Sequence, residues 1–268
     1  MNILYVTYAL DGLLTIAIPI ILAVIVIRKF DLYWRLFWIG VAVFALSQII
    51  LTVLNNYLVY PFLNRLNGNA VLSSVTVLIY SALTVGLGVA LVEELLRYGM
   101  FRWWARDARS WVDGTLTGIG HGGAGAIFLG ALVFYNFINM VMVKNTDLST
   151  IVTPEQLPYA QAQVNAFWSA PWYTTLNDVI QQLFTLPVQI ALALVVLQTF
   201  IRKQWYWLII AIMAHTLFEA SRVVAQNLLS PLLANLVFVG FGLASIAVIL
   251  AFRISEQQKQ LSTNAAEA

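Results

Sequence analysis

The chain has 268 residues, 61% of them hydrophobic and 10% charged, with a mean hydropathy of +0.83. A formal charge of +2, with the basic residues gathered at the ends of apolar runs, excludes the concentrated basic surface that nucleic-acid binding requires. The absence of cysteine excludes disulfides, thiolate catalysis and cysteine metal ligands, so any metal must be held by His, Glu or Asp.

Seven apolar runs, broken by charge, Pro or polar clusters, predict an all-α polytopic membrane bundle, because about 20 apolar residues let a helix cross a bilayer. The spans fall at about 6–27, 36–59, 75–100, 113–143, 183–201, 205–227 and 231–252. The first lacks a basic leader, carries Asp11 and ends in Arg28 and Lys29, so it reads as a retained span and not a cleaved signal. The third ends in Glu93, Glu94 and Arg97 after a run that is otherwise uncharged. The fourth contains His121, is long enough to tilt or break, and carries a four-residue series of Gly114, Gly118, Gly122, Ala126 and Gly130 that suits close approach by a neighbouring helix.

The loop 144–182 carries Phe167, Trp168, Trp172 and Tyr173, side chains suited to a membrane interface. Thr153-Pro154-Glu155-Gln156 reads as a helix start, with Thr as cap and Pro in the first turn. An interfacial helix is expected there, with a short or re-entrant eighth segment as the alternative. The sixth span carries His215 and Glu219 one turn apart. Residues 1–255 are read as one transmembrane domain, and the polar stretch from Glu256 to Ala268 as a cytoplasmic tail that frays.

Alternating the loops across the bilayer puts eleven basic residues on one side and only Arg65, Lys144 and Arg222 on the other. Lys and Arg accumulate on the cytoplasmic side. The N-terminus is therefore expected outside, the C-terminus inside, and the chain in a bacterial plasma membrane with lipid as its surroundings.

A carboxylate in hydrocarbon costs roughly 2.5 to 3.5 kcal/mol on insertion scales, which makes Glu93 and Glu94 a functional-site hypothesis. They lie about 12 Å inward from Arg102 at 1.5 Å per residue. The two histidines of the chain, His121 and His215, fall at similar depths on other spans. This pattern points to metal-assisted hydrolysis, in which imidazoles and Glu93 or Glu94 hold a divalent ion such as Zn²⁺ and a second carboxylate serves as general base. Adjacent helical residues project about 100° apart, so one glutamate faces the site while the other orients it or pairs with Arg97.

Plainer readings stand beside this one. Glu93 or Glu94 with Arg97, and Glu219 with Arg222, are spaced as ordinary helical salt bridges. An intramembrane histidine is often an interhelical hydrogen bonder. Gly118-Ile119-Gly120-His121-Gly122-Gly123 matches G-x-G-x-x-G, but no strand precedes it, so no nucleotide site is read there.

Glu93-Glu94-Leu95-Leu96-Arg97-Tyr98, the Gly-x-Gly-His-Gly-Gly stretch ending at Gly123, and Ala214-His215 resemble the YhfC-type family of bacterial intramembrane metalloproteases, which is similar in turn to the CAAX prenyl protease and bacteriocin-processing group. The resemblance runs from the third span to the seventh. It implies a membrane peptidase with Glu93, Glu94, His121 and His215 as its catalytic centre, opening towards the cytoplasmic half of the bilayer, with Arg97 and Glu219 in support and a peptide or membrane-protein segment as substrate.

The chain departs from the wider group at three points and from the YhfC pattern at one. Arg97 follows Glu94 by three residues and not four, Thr117 stands where that group has an aromatic, Glu219 where it has Asn or a small polar residue, and Gly125 where the YhfC pattern has an acid. These differences distance it from prenyl-protein processing. The competing functions are a proton-coupled transporter using the same acids and histidines, and a non-catalytic scaffold or immunity-type protein of the same fold.

Overall fold

The computed structural model describes residues 3–68 and 73–267, with no strand among them. Helix α1 (Ile3–Phe30) leads to α2 (Arg35–Leu54), which continues through a π turn at Asn55–Val59 into α3 (Tyr60–Asn67). Helix α4 (Ser74–Gly99) ends in a second π turn, Met100–Trp104, and is followed by α5 (Trp111–Val143). A short α6 (Leu157–Ser169) precedes α7 (Asn177–Ile201), α8 (Tyr206–Leu228) and α9 (Pro231–Glu267). Seven of these helical stretches are long and apolar enough to cross a membrane, and they contain all seven predicted spans.

Local chemistry sets the helix ends. Ser73 caps α4 by accepting from Thr76 N, and Ser110 with Asp113 forms a capping box on α5. Asp31, in the left-handed region at φ 52°, turns the chain out of α1 after Arg28 and Lys29. The Arg35 guanidinium pairs with Asp107 and also donates to Trp104 O, tying the start of α2 to the end of α4. That hydrogen bond holds the Asp107 carboxyl below its ordinary range.

Helix α5 is unbroken along its length and packs against α1, α2 and α7, while α4 packs on α8 and touches α2. Helix α9 covers α7. Every residue from Val188 to Gln198 on α7 is buried, so that segment is enclosed on all faces. The glycine series on α5 does meet close neighbours, but on two helices: a Cβ on Gly118 would lie 2.6 Å from Ile190 Cα of α7, and one on Gly130 would lie 2.9 Å from Gly12 O of α1. The tightest crossing involves a glycine outside that series. A Cβ on Gly120 would sit 2.1 Å from Phe37 O, and one on Gly40 would sit 2.3 Å from Thr117 O, so α2 and α5 touch backbone to backbone beside His121.

Two expectations are corrected. Helix α6 begins at Leu157, four residues beyond Thr153, with Gln156 at the cap position and Pro158 in the first turn; Thr153 instead offers its carbonyl to Gln156 N and Leu157 N. At 13 residues it spans about 20 Å, short of the roughly 30 Å of hydrocarbon. The polar stretch from Glu256 does not fray: α9 runs on to Glu267, because Glu256 accepts from Trp111 N at 2.7 Å and anchors the extension to the start of α5.

Gly120→Val is expected to lower the unfolding midpoint in detergent strongly, since overpacking usually costs about 1–3 kcal/mol and here the clash is with backbone. Gly240→Ala, with nothing within 4 Å of the added Cβ, should leave the midpoint unchanged.

Candidate functional site

Helix α4 presents Glu93, Glu94 and Arg97 to the interior, where all three are buried, with exposures of 5%, 0% and 1%. Helix α5 supplies His121 and α8 supplies His215, also buried. Small residues make this meeting possible: a Cβ on Gly86 would lie 2.9 Å from Thr216 O, so α4 and α8 close to backbone distance and bring His215 up to the glutamates.

The contacts are specific. His121 Nε2 meets Glu93 Oε2 at 2.9 Å, and His215 Nδ1 meets Glu94 Oε1 at 2.6 Å. His215 Nε2 lies 3.9 Å from the same Glu93 Oε2. Arg97 donates from Nη1 to Glu94 Oε1 at 2.5 Å and from Nη2 to Glu93 Oε2 at 3.4 Å. The four predicted residues Glu93, Glu94, His121 and His215 therefore converge, with Arg97 joined to both carboxylates and not to one.

Glu219 is the exception. Its Oε2 accepts from Arg222 Nε at 3.0 Å and Nη2 at 2.6 Å, and no hydrogen bond or ion pair joins it to the other five residues. The expectation that it supports the centre is corrected to the helical salt bridge that its spacing from Arg222 allowed.

Two further residues complete the site. Gln189 on α7 accepts a hydrogen bond from Arg97 Nη2 through Oε1, and Phe44 on α2 sets its ring edge-on to His121 with centroids 5.6 Å apart. Sequence reasoning passed over both. Gln189 had a signal, a lone amide inside the apolar run Leu186–Leu197, whereas Phe44 is one aromatic among many and had none.

Four buried atoms of the cluster have no hydrogen-bond partner: Glu94 Oε2, Arg97 Nε, His121 Nδ1 and His215 Nε2. With neutral imidazoles, two carboxylates against one guanidinium leave one net negative charge enclosed by apolar helices. A proton on an imidazole or a bound cation would offset it.

No group of three or more His, Asp or Glu side chains among the described residues is arranged as a ready ligand set. The donor types nevertheless fit a divalent ion. Tetrahedral ligands at bonds of about 2.0 Å stand about 3.3 Å apart, and the 2.9 and 3.9 Å separations from Glu93 Oε2 to the two imidazole Nε2 atoms bracket that. His215, whose Nδ1 meets a carboxylate and whose Nε2 is unpartnered, has the form of a ligand held by a second carboxylate.

Fold and site together define a multi-pass helical membrane protein with a buried Glu-Glu-Arg, His, His centre. Residues 14–241 match the YhfC intramembrane metalloprotease family, and the chain belongs to that family. It is 28% identical over 226 residues, covering 82% of this chain and 84% of the relative, to the uncharacterized membrane protein YhfC of Bacillus subtilis (strain 168). No solved structure matches the chain.

Removing Arg97 strands two buried carboxylates. Arg97→Met is expected to destabilise the fold by about 3–5 kcal/mol in denaturant titrations in detergent. Glu219→Gln breaks a pair whose Arg222 side chain is 38% exposed, and should cost no more than about 1 kcal/mol.

Proposed function

We propose that this chain is a metal-dependent intramembrane endopeptidase of a bacterial plasma membrane, with Glu93, His121 and His215 as the metal-holding set. The observation that carries the reading is Glu93 Oε2 lying 2.9 and 3.9 Å from the Nε2 atoms of two histidines, one of which is held through its Nδ1 by Glu94. A salt bridge alone would not require two imidazoles from two other helices to turn towards one carboxylate oxygen. The family's description supports the reading at the level of a metalloprotease. Zinc is the proposed ion, because two imidazoles and a carboxylate are a common zinc donor set.

Each residue then has a chemical task. Glu94 accepts the Nδ1 proton of His215, which fixes the tautomer and leaves the Nε2 lone pair facing Glu93. Arg97 donates to both carboxylates and is itself held by Gln189. Glu94 Oε2, buried and unpartnered, is the proposed general base that takes a proton from the attacking water and returns it to the leaving amine. The ion, when bound, supplies Lewis-acid polarisation of the peptide carbonyl and activation of water. The low-dielectric surroundings strengthen each of these interactions.

The proposed orientation keeps the N-terminus outside and the C-terminus in the cytoplasm, following the positive-residue bias. The substrate class is a peptide or membrane-protein segment reaching the site from within the bilayer. A second reading, a non-catalytic scaffold or immunity-type protein, draws support from the direct Glu93–His121 contact, which lets the cluster satisfy itself as a structural core.

In proteoliposomes carrying a library of quenched transmembrane peptides, single Ala substitutions of Glu93, Glu94, His121 and His215 should each lower cleavage at least about a hundredfold. Glu219→Gln should cleave normally. Elemental analysis should find one divalent metal per wild-type chain and less in His121→Ala. Undiminished cleavage in all four Ala variants would sink the peptidase reading, and unchanged biological activity of a folded quadruple variant would favour the scaffold.

A further inference from the structure

The extension of α9 gives one polar face to a cleft at the end of the bundle. Ser255, Glu256, Lys259, Gln260, Thr263 and Asn264 recur at helical steps of three, four and one, and all six line one cleft. On the opposite side Leu250, Ile254 and Leu261 are 48%, 53% and 69% exposed, beside the exposed Gln257, Gln258 and Ser262. The extension is exposed around most of its circumference, and its cleft-lining face forms one wall of an open polar groove.

That cleft has a volume of about 720 Å³. Its other wall is built from Arg109 beside the start of α5 and from Gln198 and Arg202 at the end of α7, with Ile201 and Phe252 as apolar lining. Three cations, Arg109, Arg202 and Lys259, therefore face one carboxylate, Glu256, and that carboxylate is already accepting from Trp111 N. Arg109 is committed to the backbone, donating to Phe101 O, Ala105 O and Ala108 O. Arg202 donates from Nε to Gln198 and lies over the Trp207 ring, while its terminal nitrogens have no hydrogen-bond partner among the described residues. Lys259 has no ion-pair partner among them either. The cleft therefore holds two uncommitted cationic donors, an excess of positive charge and an apolar lining, at the point where α7 and α9 leave their apolar runs.

We propose that this cleft binds the phosphate of an anionic phospholipid head group, with Arg202 and Lys259 donating to the phosphate oxygens. The fork of an arginine and the flexible ammonium of a lysine match tetrahedral oxyanions. The Ile201 and Phe252 lining and the exposed Leu250 and Ile254, at the end of the apolar run of α9, offer a surface to the acyl chains of the same lipid. The site is separate from the Glu-His centre and does not depend on the peptidase reading.

The test is binding of fluorescent phosphatidylglycerol by the purified full chain in detergent, with phosphatidylcholine and inorganic phosphate as parallel arms. Wild type should prefer phosphatidylglycerol to phosphatidylcholine. Lys259→Gln and Arg202→Gln should each weaken it about fivefold, the factor that one cation near an anionic lipid surface contributes. Thermal melts in phosphatidylcholine check that the variants fold; if Arg202→Gln fails that check, Lys259→Gln and Lys259→Glu carry the test, the charge reversal weakening binding further. Equal affinity for the two lipids, or unchanged affinity in folded Lys259 variants, would overturn the site. Inorganic phosphate binding as tightly as phosphatidylglycerol would overturn the lipid as its source.

Discussion

Arg97 lies between two carboxylates on its own helix and an amide on α7, almost wholly shielded from solvent. Two ionised glutamates in an apolar bundle are tolerable only beside a counter-charge, and a guanidinium at i+3 and i+4 can reach both while its planar fork keeps them apart. The adjacency of Glu93 and Glu94 then has a geometric use. Side chains about 100° apart on α4 cannot meet at one atom, but they can reach towards two different neighbours. Glu93 goes to His121 on α5 and Glu94 goes to His215 on α8. One dipeptide, neutralised in part by one arginine, thereby engages both flanking helices.

The surrounding architecture serves the same end. Backbone-to-backbone crossings at Gly86 with α8 and at Gly40 and Gly120 between α2 and α5 bring the imidazoles within hydrogen-bonding reach. The enclosed stretch of α7 carries Gln189 into the cluster from behind Arg97. Four buried atoms of the cluster, the Nε2 of His215 among them, have no hydrogen-bond partner. At the end of the bundle, the polar face of α9 forms one wall of an open cleft with residues of α7 and Arg109.

Much of this was legible beforehand, for reasons that differ by element. The seven spans follow from apolar length alone, because a bilayer admits few other structures, and all seven appear, with the end of the second, the start of the fifth and the end of the last running well beyond the apolar runs. Glu93, Glu94, His121 and His215 stood out because charge and imidazole are rare and costly in such runs. Glu219 was misjudged by the same logic: its depth matched, but Arg222 one turn away claims its carboxylate. The start of α6 was placed three residues too early, since a Thr-Pro start is equally a turn when the following carbonyl geometry favours it.

Sequence by itself determined the solvent, the helices and the identity of the costly side chains, because hydropathy and charge are properties of residues and their spacing along the chain. Tertiary structure alone decided which of those side chains meet. Whether Arg97 serves one carboxylate or both, whether Gln189 joins them, and whether Glu219 belongs to the centre all depend on helix rotation and crossing distance, which are set by contacts between residues far apart in sequence. The α9 extension shows the same division: its polar composition was evident, but a single hydrogen bond from Trp111 N to Glu256, 145 residues away, turns an expected fray into a wall.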